Sequence, residues 1–155
     1  NIGTAAMMTD FVLASLHHVL IFLLMAALAA ELVLVRPGLP SMSLGRLSRI
    51  DGAYGALSLA VLAVGVCRVI WGIKGWEAYS GNVWFWHKMA AFLIVGLLSI
   101  APTIRFARWR RQAASNPSFA VSDAEVKAVR RFMHAEAAIF LLIPIFAAAM
   151  ARYGT

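Results

Sequence analysis

Apolar residues dominate the chain in four blocks, at about residues 10–35, 51–73, 83–104 and 128–151, separated by short polar connections. Leu, Val, Ile, Ala and Phe run through each block with few charges. A helix that crosses the ~30 Å hydrocarbon layer of a bilayer needs roughly 20 such residues. The pattern therefore predicts an all-α integral membrane protein, a four-helix antiparallel bundle forming one domain over residues 8–155. Local chemistry sets the expected boundaries. Thr9 or Asp10 suits an N-cap, with a carboxylate near the positive helix end. Arg36-Pro37-Gly38 stops the first helix, and Pro102-Thr103 closes the third. Ser122-Asp-Ala-Glu125 is a capping-box pattern that starts the last helix at 122, before the membrane, and that helix runs to 151. Asn1 to Met7 precede a plausible start at Met8 and are set aside from the fold as an extraneous remnant.

Composition sharpens this class. The chain is 62% hydrophobic and 14% charged, with a mean hydropathy of +0.80, whereas a soluble domain carries about 25% charged residues. The net charge of +7 would suggest nucleic acid in a soluble protein, but its distribution points elsewhere. Arg36, Arg46 and Arg49 lie between the first two segments. Arg105, Arg108, Arg110, Arg111, Lys127, Arg130 and Arg131 lie between the last two. The second connection sets Lys74 against Glu77. The positive-inside rule then puts both basic connections in the cytoplasm and both termini outside it, in a multi-pass protein of the bacterial inner membrane. Cys67 stands alone, which leaves no intrachain disulfide and no thiolate metal cluster.

The polar residues inside the segments are few and patterned. Asp51, Tyr54, Ser58, Val61, Gly65, Arg68 and Gly72 recur three and four apart, a stripe of mostly small or polar residues that admits a close neighbour. His17 and Glu31 are two heptads apart on one face of the first helix, with Leu24 and Leu28 between them. Helical rise places His17, His18, Arg68, His87 and Lys88 roughly 7–12 Å from the outer boundary. Glu31, His134 and Glu136 fall near the inner boundary, with Asp51 and Arg49 at its edge. His134 and Glu136 are about 200° apart around their helix, so they do not share a site.

The outer layer centres on Trp84-Phe-Trp-His-Lys88. It holds several bases and no carboxylate, which argues against a carboxylate-rich zinc or iron centre. Imidazoles, an arginine and a ring of aromatics suit a haem. His87 and one of His17 or His18 are the axial candidates. Arg68 and Lys88 would hold propionates, and Trp84 and Trp86 would wall the ring. His17 and His18 are about 100° apart, so one of them faces the bundle.

At these residues the chain resembles a known family. Leu13-Ala-Ser-Leu-His17 and the apolar helix after it look like the first helix of the bacterial four-helix membrane protoporphyrinogen IX oxidases. Trp84-Phe-Trp-His-Lys88 is similar to that family's Trp-x-His-x-Lys, and Arg131-Phe-Met-His-Ala-Glu136 to its Arg-x-Phe-Asn-Glu stretch. The copper-resistance D membrane proteins look like more remote relatives, and overall the chain resembles small bacterial membrane proteins of uncharacterised function. The resemblance implies haem b between helices one and three, with electron transfer to a porphyrinogen or quinone. By position, His17 matches the first-helix histidine, Lys88 the third-helix lysine and Glu136 the last-helix acid, which implies catalytic roles for Lys88 and Glu136. One departure stands out: Trp86 occupies the family's third-helix histidine position, and the histidine has moved one place, about 100°, to His87.

The resulting expectation is a haem b-binding membrane redox protein, with His17 and His87 on iron and quinone or a porphyrin as partner. It would sit in the lipid bilayer as a homo-oligomer and bind no nucleic acid. Two alternatives stay open. One is a small oligomeric transporter or proton-coupled carrier in which Glu31, Glu136 and the histidines relay protons. The other is a non-catalytic membrane assembly protein whose ionisable groups serve packing.

Overall fold

The computed structural model describes residues 2–153. Its order is α1 (Ile2–Leu34), a 3-10 turn (Ser41–Ser43), α2 (Leu44–Trp71), α3 (Gly75–Ser80), α4 (Val83–Ser115), α5 (Asp123–Phe140) and α6 (Leu142–Tyr153). Four helical columns are long and apolar enough to cross a membrane: Gly3–Leu34, Ser41–Trp71, Val83–Ser115 and Asp123–Tyr153. α5 and α6 together make the fourth. α1 packs on α2, α2 on α4, and α4 on α5 and α6, while α1 also touches α5. This is the predicted all-helical membrane bundle. Its outer faces carry side chains such as Phe22, Val33, Leu59 and Leu93 in the open, where lipid is their natural cover.

Several boundaries differ from the sequence reading. α1 runs through the residues that were set aside, from Ile2, and Thr9 is no cap: its hydroxyl donates back to the Ala5 carbonyl, 3.0 Å away, inside the helix. α2 starts at Leu44 rather than 51, because Leu44 and Leu47 give its first turns a buried apolar side. α4 passes through Pro102 and continues to Ser115, held down by buried Phe106 and Trp109. The capping box forms, with Glu125 N–H donating to Ser122 Oγ at 3.3 Å. The last column, expected to be continuous, breaks at Leu141. Pro144 has no N–H for the Phe140 carbonyl, and its ring crowds that carbonyl.

Two buried clusters stack along the bundle. One, at the end bearing the arginine-rich connections (the basic end), joins Val35, Leu44, Leu47, Phe106, Trp109, Val126 and Met133. The other lies deeper towards the far end and joins Leu24, Leu28, Tyr54, Val61, Ala91, Val95 and Phe140. Glu31 and Glu136 fall in sequence between members of the two clusters, and so at their junction.

Candidate functional site

The far-end group is built by three helices. His17 on α1 lies over Gly65 of α2, where a Cβ would come within 3.3 Å of His17 Cε1, so the absent side chain makes the seat for the ring. Arg68 stands one turn further along α2, and Lys88 comes from α4. His17, Arg68 and Lys88 are all partly buried at this end, on α1, α2 and α4, where α2 packs against both of the other helices. Lys88 Nζ lies 5.5 Å from the centre of the Phe85 ring, a cation–π contact that offsets little of the cost of holding three basic groups together. His17 Nδ1 and Arg68 Nε are inaccessible and have no hydrogen-bond partner. Among the described residues no acidic side chain forms an ion pair with any of the three. The layer is not wholly free of carboxylate, however. Asp10 Oδ1 would lie 3.0 Å from a Cβ on Gly72, at the end of α2.

The other far-end residues have separate neighbours. His18 is exposed, with Nδ1 2.6 Å from the Ala14 carbonyl and its ring edge-on to His17. His87 holds Nδ1 2.8 Å from the Val83 carbonyl, and its ring sits 5.6 Å from Trp84 and 5.7 Å from Phe146 of α6. Trp84 stacks on Phe146. Trp86 turns towards α3, its Nε1 donating to the Ser80 carbonyl at 2.9 Å, with Trp76 at its edge. The structure thus gathers His17, Arg68 and Lys88. It sets His87 on the α4–α6 flank and His18 on the outer surface.

A second group lies nearer the basic end. Glu136 and Glu31 are 1% and 2% exposed, the buried charged side chains of the described residues. Tyr54 Oη donates to Glu136 Oε1 at 2.5 Å, joining α2 to α5. Glu31 Oε1 has no partner. Asp51 accepts from Thr103 Oγ1 at 2.7 Å. Arg130 does not neutralise the acids. Its Nη1 donates to the Leu32 carbonyl at 2.8 Å and to that of Val35, capping the end of α1, and its Nη2 lies 3.4 Å from His134 Nε2. Arg105 pairs with Glu125 at 3.8 Å. His134 is exposed while Glu136 is buried, as their angular separation predicts. Lys88 and Glu136, linked by the resemblance, occupy different groups here. Tyr54 is the residue the sequence reading passed over: it stood in the α2 stripe, but nothing in the chain alone paired it with Glu136.

A family of predicted membrane proteins, DUF2214, matches this chain over residues 9–154. The chain belongs to DUF2214. No curated protein and no solved structure matches it. Among the described residues of this DUF2214 chain, no cluster of three or more His, Cys, Asp or Glu is placed to hold a metal ion. What the far-end group offers is positive charge, one open imidazole nitrogen and one open guanidine N–H, a donor set for an anionic or carbonyl-bearing ligand. The group nearer the basic end offers carboxyl oxygens and a phenol, suited to a proton.

Proposed function

We propose that this DUF2214 protein is a haem b-binding membrane redox protein with its prosthetic group at the far-end cluster. The observation that supports this reading is the pair of orphaned atoms, His17 Nδ1 and Arg68 Nε, buried with no ion-paired acid at the end of the bundle that also holds Lys88. Polar groups in such a place cost stability unless something answers them. A haem fits that donor set in part. His17 supplies a nitrogen for iron and Arg68 and Lys88 supply the charge for two propionates, while the aromatic pair Trp84 and Phe146 stands with His87 on the α4–α6 flank. His87 keeps Nδ1 on a backbone carbonyl, which leaves Nε2 as the second candidate ligand from the α4–α6 flank. His18 and Trp86, turned elsewhere, take the smaller part. When bound, the haem would supply one-electron chemistry, and quinone or a porphyrinogen in the bilayer is the exchange partner this reading calls for.

The residues' own work is to bind and to orient. Arg68 and Lys88 fix the anionic edge by charge, and Gly65 holds the His17 ring against α2. The test is the visible spectrum of the detergent-purified protein, oxidised and after dithionite. A Soret band that moves on reduction, with its α band abolished by His17→Ala and retained by His18→Ala, is expected. A protein that stays colourless after expression with added haem precursor would end this reading.

A further inference from the structure

The redox reading leaves the most deeply buried charged groups unused. Glu31 of α1 and Glu136 of α5 are both buried where the two apolar clusters meet, and Tyr54 of α2 is bonded to Glu136. From α4, Thr103 binds Asp51, and Arg105 is spent on Glu125. From α5, Arg130 is spent on the Leu32 and Val35 carbonyls and His134. Among the described residues no basic side chain therefore pairs with Glu31 or Glu136. Two ionised carboxylates here would be an uncompensated double charge in a low-dielectric interior. Hydrogen bonds decide where relief is needed. Glu136 Oε1 accepts from Tyr54, as an ionised carboxylate does, whereas Glu31 Oε1 is orphaned. A proton supplies what is missing, since it removes one charge and makes one acid a donor.

We propose that Glu31 and Glu136 form a proton-binding site that holds one proton between them, with Tyr54 as the fixed donor that keeps it off the Glu136 oxygen already in use. The occupant is a proton rather than a metal cation. Tyr54 and Glu136 are in direct contact, and a hard cation would demand several converging oxygens and room for itself. The site lies at the junction of the two buried clusters, so a proton taken up there changes the charge of the helix packing itself.

Infrared spectroscopy of the whole protein in liposomes at neutral pH tests this. We expect a protonated-carboxyl C=O band that moves when water is exchanged for D2O. Glu31→Gln or Glu136→Gln should abolish it, Tyr54→Phe should shift it without abolishing it, and Asp51→Asn should leave it in place. Using both Gln variants guards against one failing to fold. The absence of a protonated-carboxyl band in the wild type would overturn the proposal, as would a band that survives in both Gln variants or vanishes only with Asp51→Asn. None of these readings requires haem, so the outcome stands apart from that of the redox assignment.

Discussion

Gly65 and His17 show how one missing side chain shapes the far-end group. Alanine at 65 would put its Cβ 3.3 Å from His17 Cε1, a contact the ring can relieve by a small shift. Leucine would fill the seat and push the imidazole out. Overpacking of this kind costs about 1–3 kcal/mol, so Gly65→Leu is expected to unfold at lower denaturant than Gly65→Ala when titrated in mixed micelles, and to lose any ligand bound through His17. If Gly65→Leu matched the wild type in both respects, His17 would not be seated on α2. Tyr54 gives a second prediction. Tyr54→Phe removes a hydrogen bond to an acidic acceptor, and such bonds contribute about 1.5–3 kcal/mol. The same titration should show a loss of that order, and a neutral result would mean that Glu136 finds another donor. Much of this chemistry was legible from the chain: helical rise alone placed His17, Arg68 and Lys88 at one depth. The Tyr54–Glu136 bond was not, because it joins residues 82 apart, and periodicity fixes the face a side chain occupies, never which helix lies opposite.

Elements were legible as spans and illegible as helices, for one reason. Hydropathy marks where lipid is, whereas a helix ends where capping or backbone chemistry stops it. α4 runs on to Ser115 because its arginines are good helix formers and Phe106 and Trp109 are buried. Pro102 and Pro144 have different outcomes in the same kind of sequence. Pro102 is buried within an unbroken α4, while Pro144 coincides with the Leu141 break between α5 and α6. Beyond the break Phe146 meets Trp84 and His87, and Asn82 Nδ2 donates to the Met150 carbonyl at 3.3 Å. Pro144→Ala restores the missing N–H and should rejoin the two helices. A Cys pair replacing Asn82 and Met150, in a Cys67→Ser background, is expected to cross-link readily in the parent and poorly with Pro144→Ala. Equal cross-linking would show that packing against α4, and not the proline, sets the direction of α6.

At the scale of the whole molecule the arginines carry a prediction about which way the bundle stands. Arg36, Arg46 and Arg49 flank one connection, and Arg105, Arg108, Arg110 and Arg111 with Lys127, Arg130 and Arg131 flank another. Both lie at the same end of the bundle, while the α3 end balances Lys74 against Glu77. Basic residues close to span ends are retained on the cytoplasmic side, so the proposed orientation buries the arginine-rich end inside the cell and turns both termini and α3 outward. In that orientation the proton site would lie towards the cytoplasmic side and the His17 cluster towards the opposite face. Single cysteines make this testable in intact cells with a membrane-impermeant maleimide, again in the Cys67→Ser background. Ser80→Cys, in the α3 turn, should be labelled without lysis, and Ser118→Cys, between α4 and α5, only after it. The reverse pattern would invert the molecule and put the proton site on the outside. Labelling of both positions in intact cells would mean that the two arginine clusters do not hold the bundle in a single orientation. Replacing Arg105, Arg108, Arg110 and Arg111 by Gln weakens the retention signal on one side of α4, so a fraction of such chains should expose Ser118→Cys even if the parent does not.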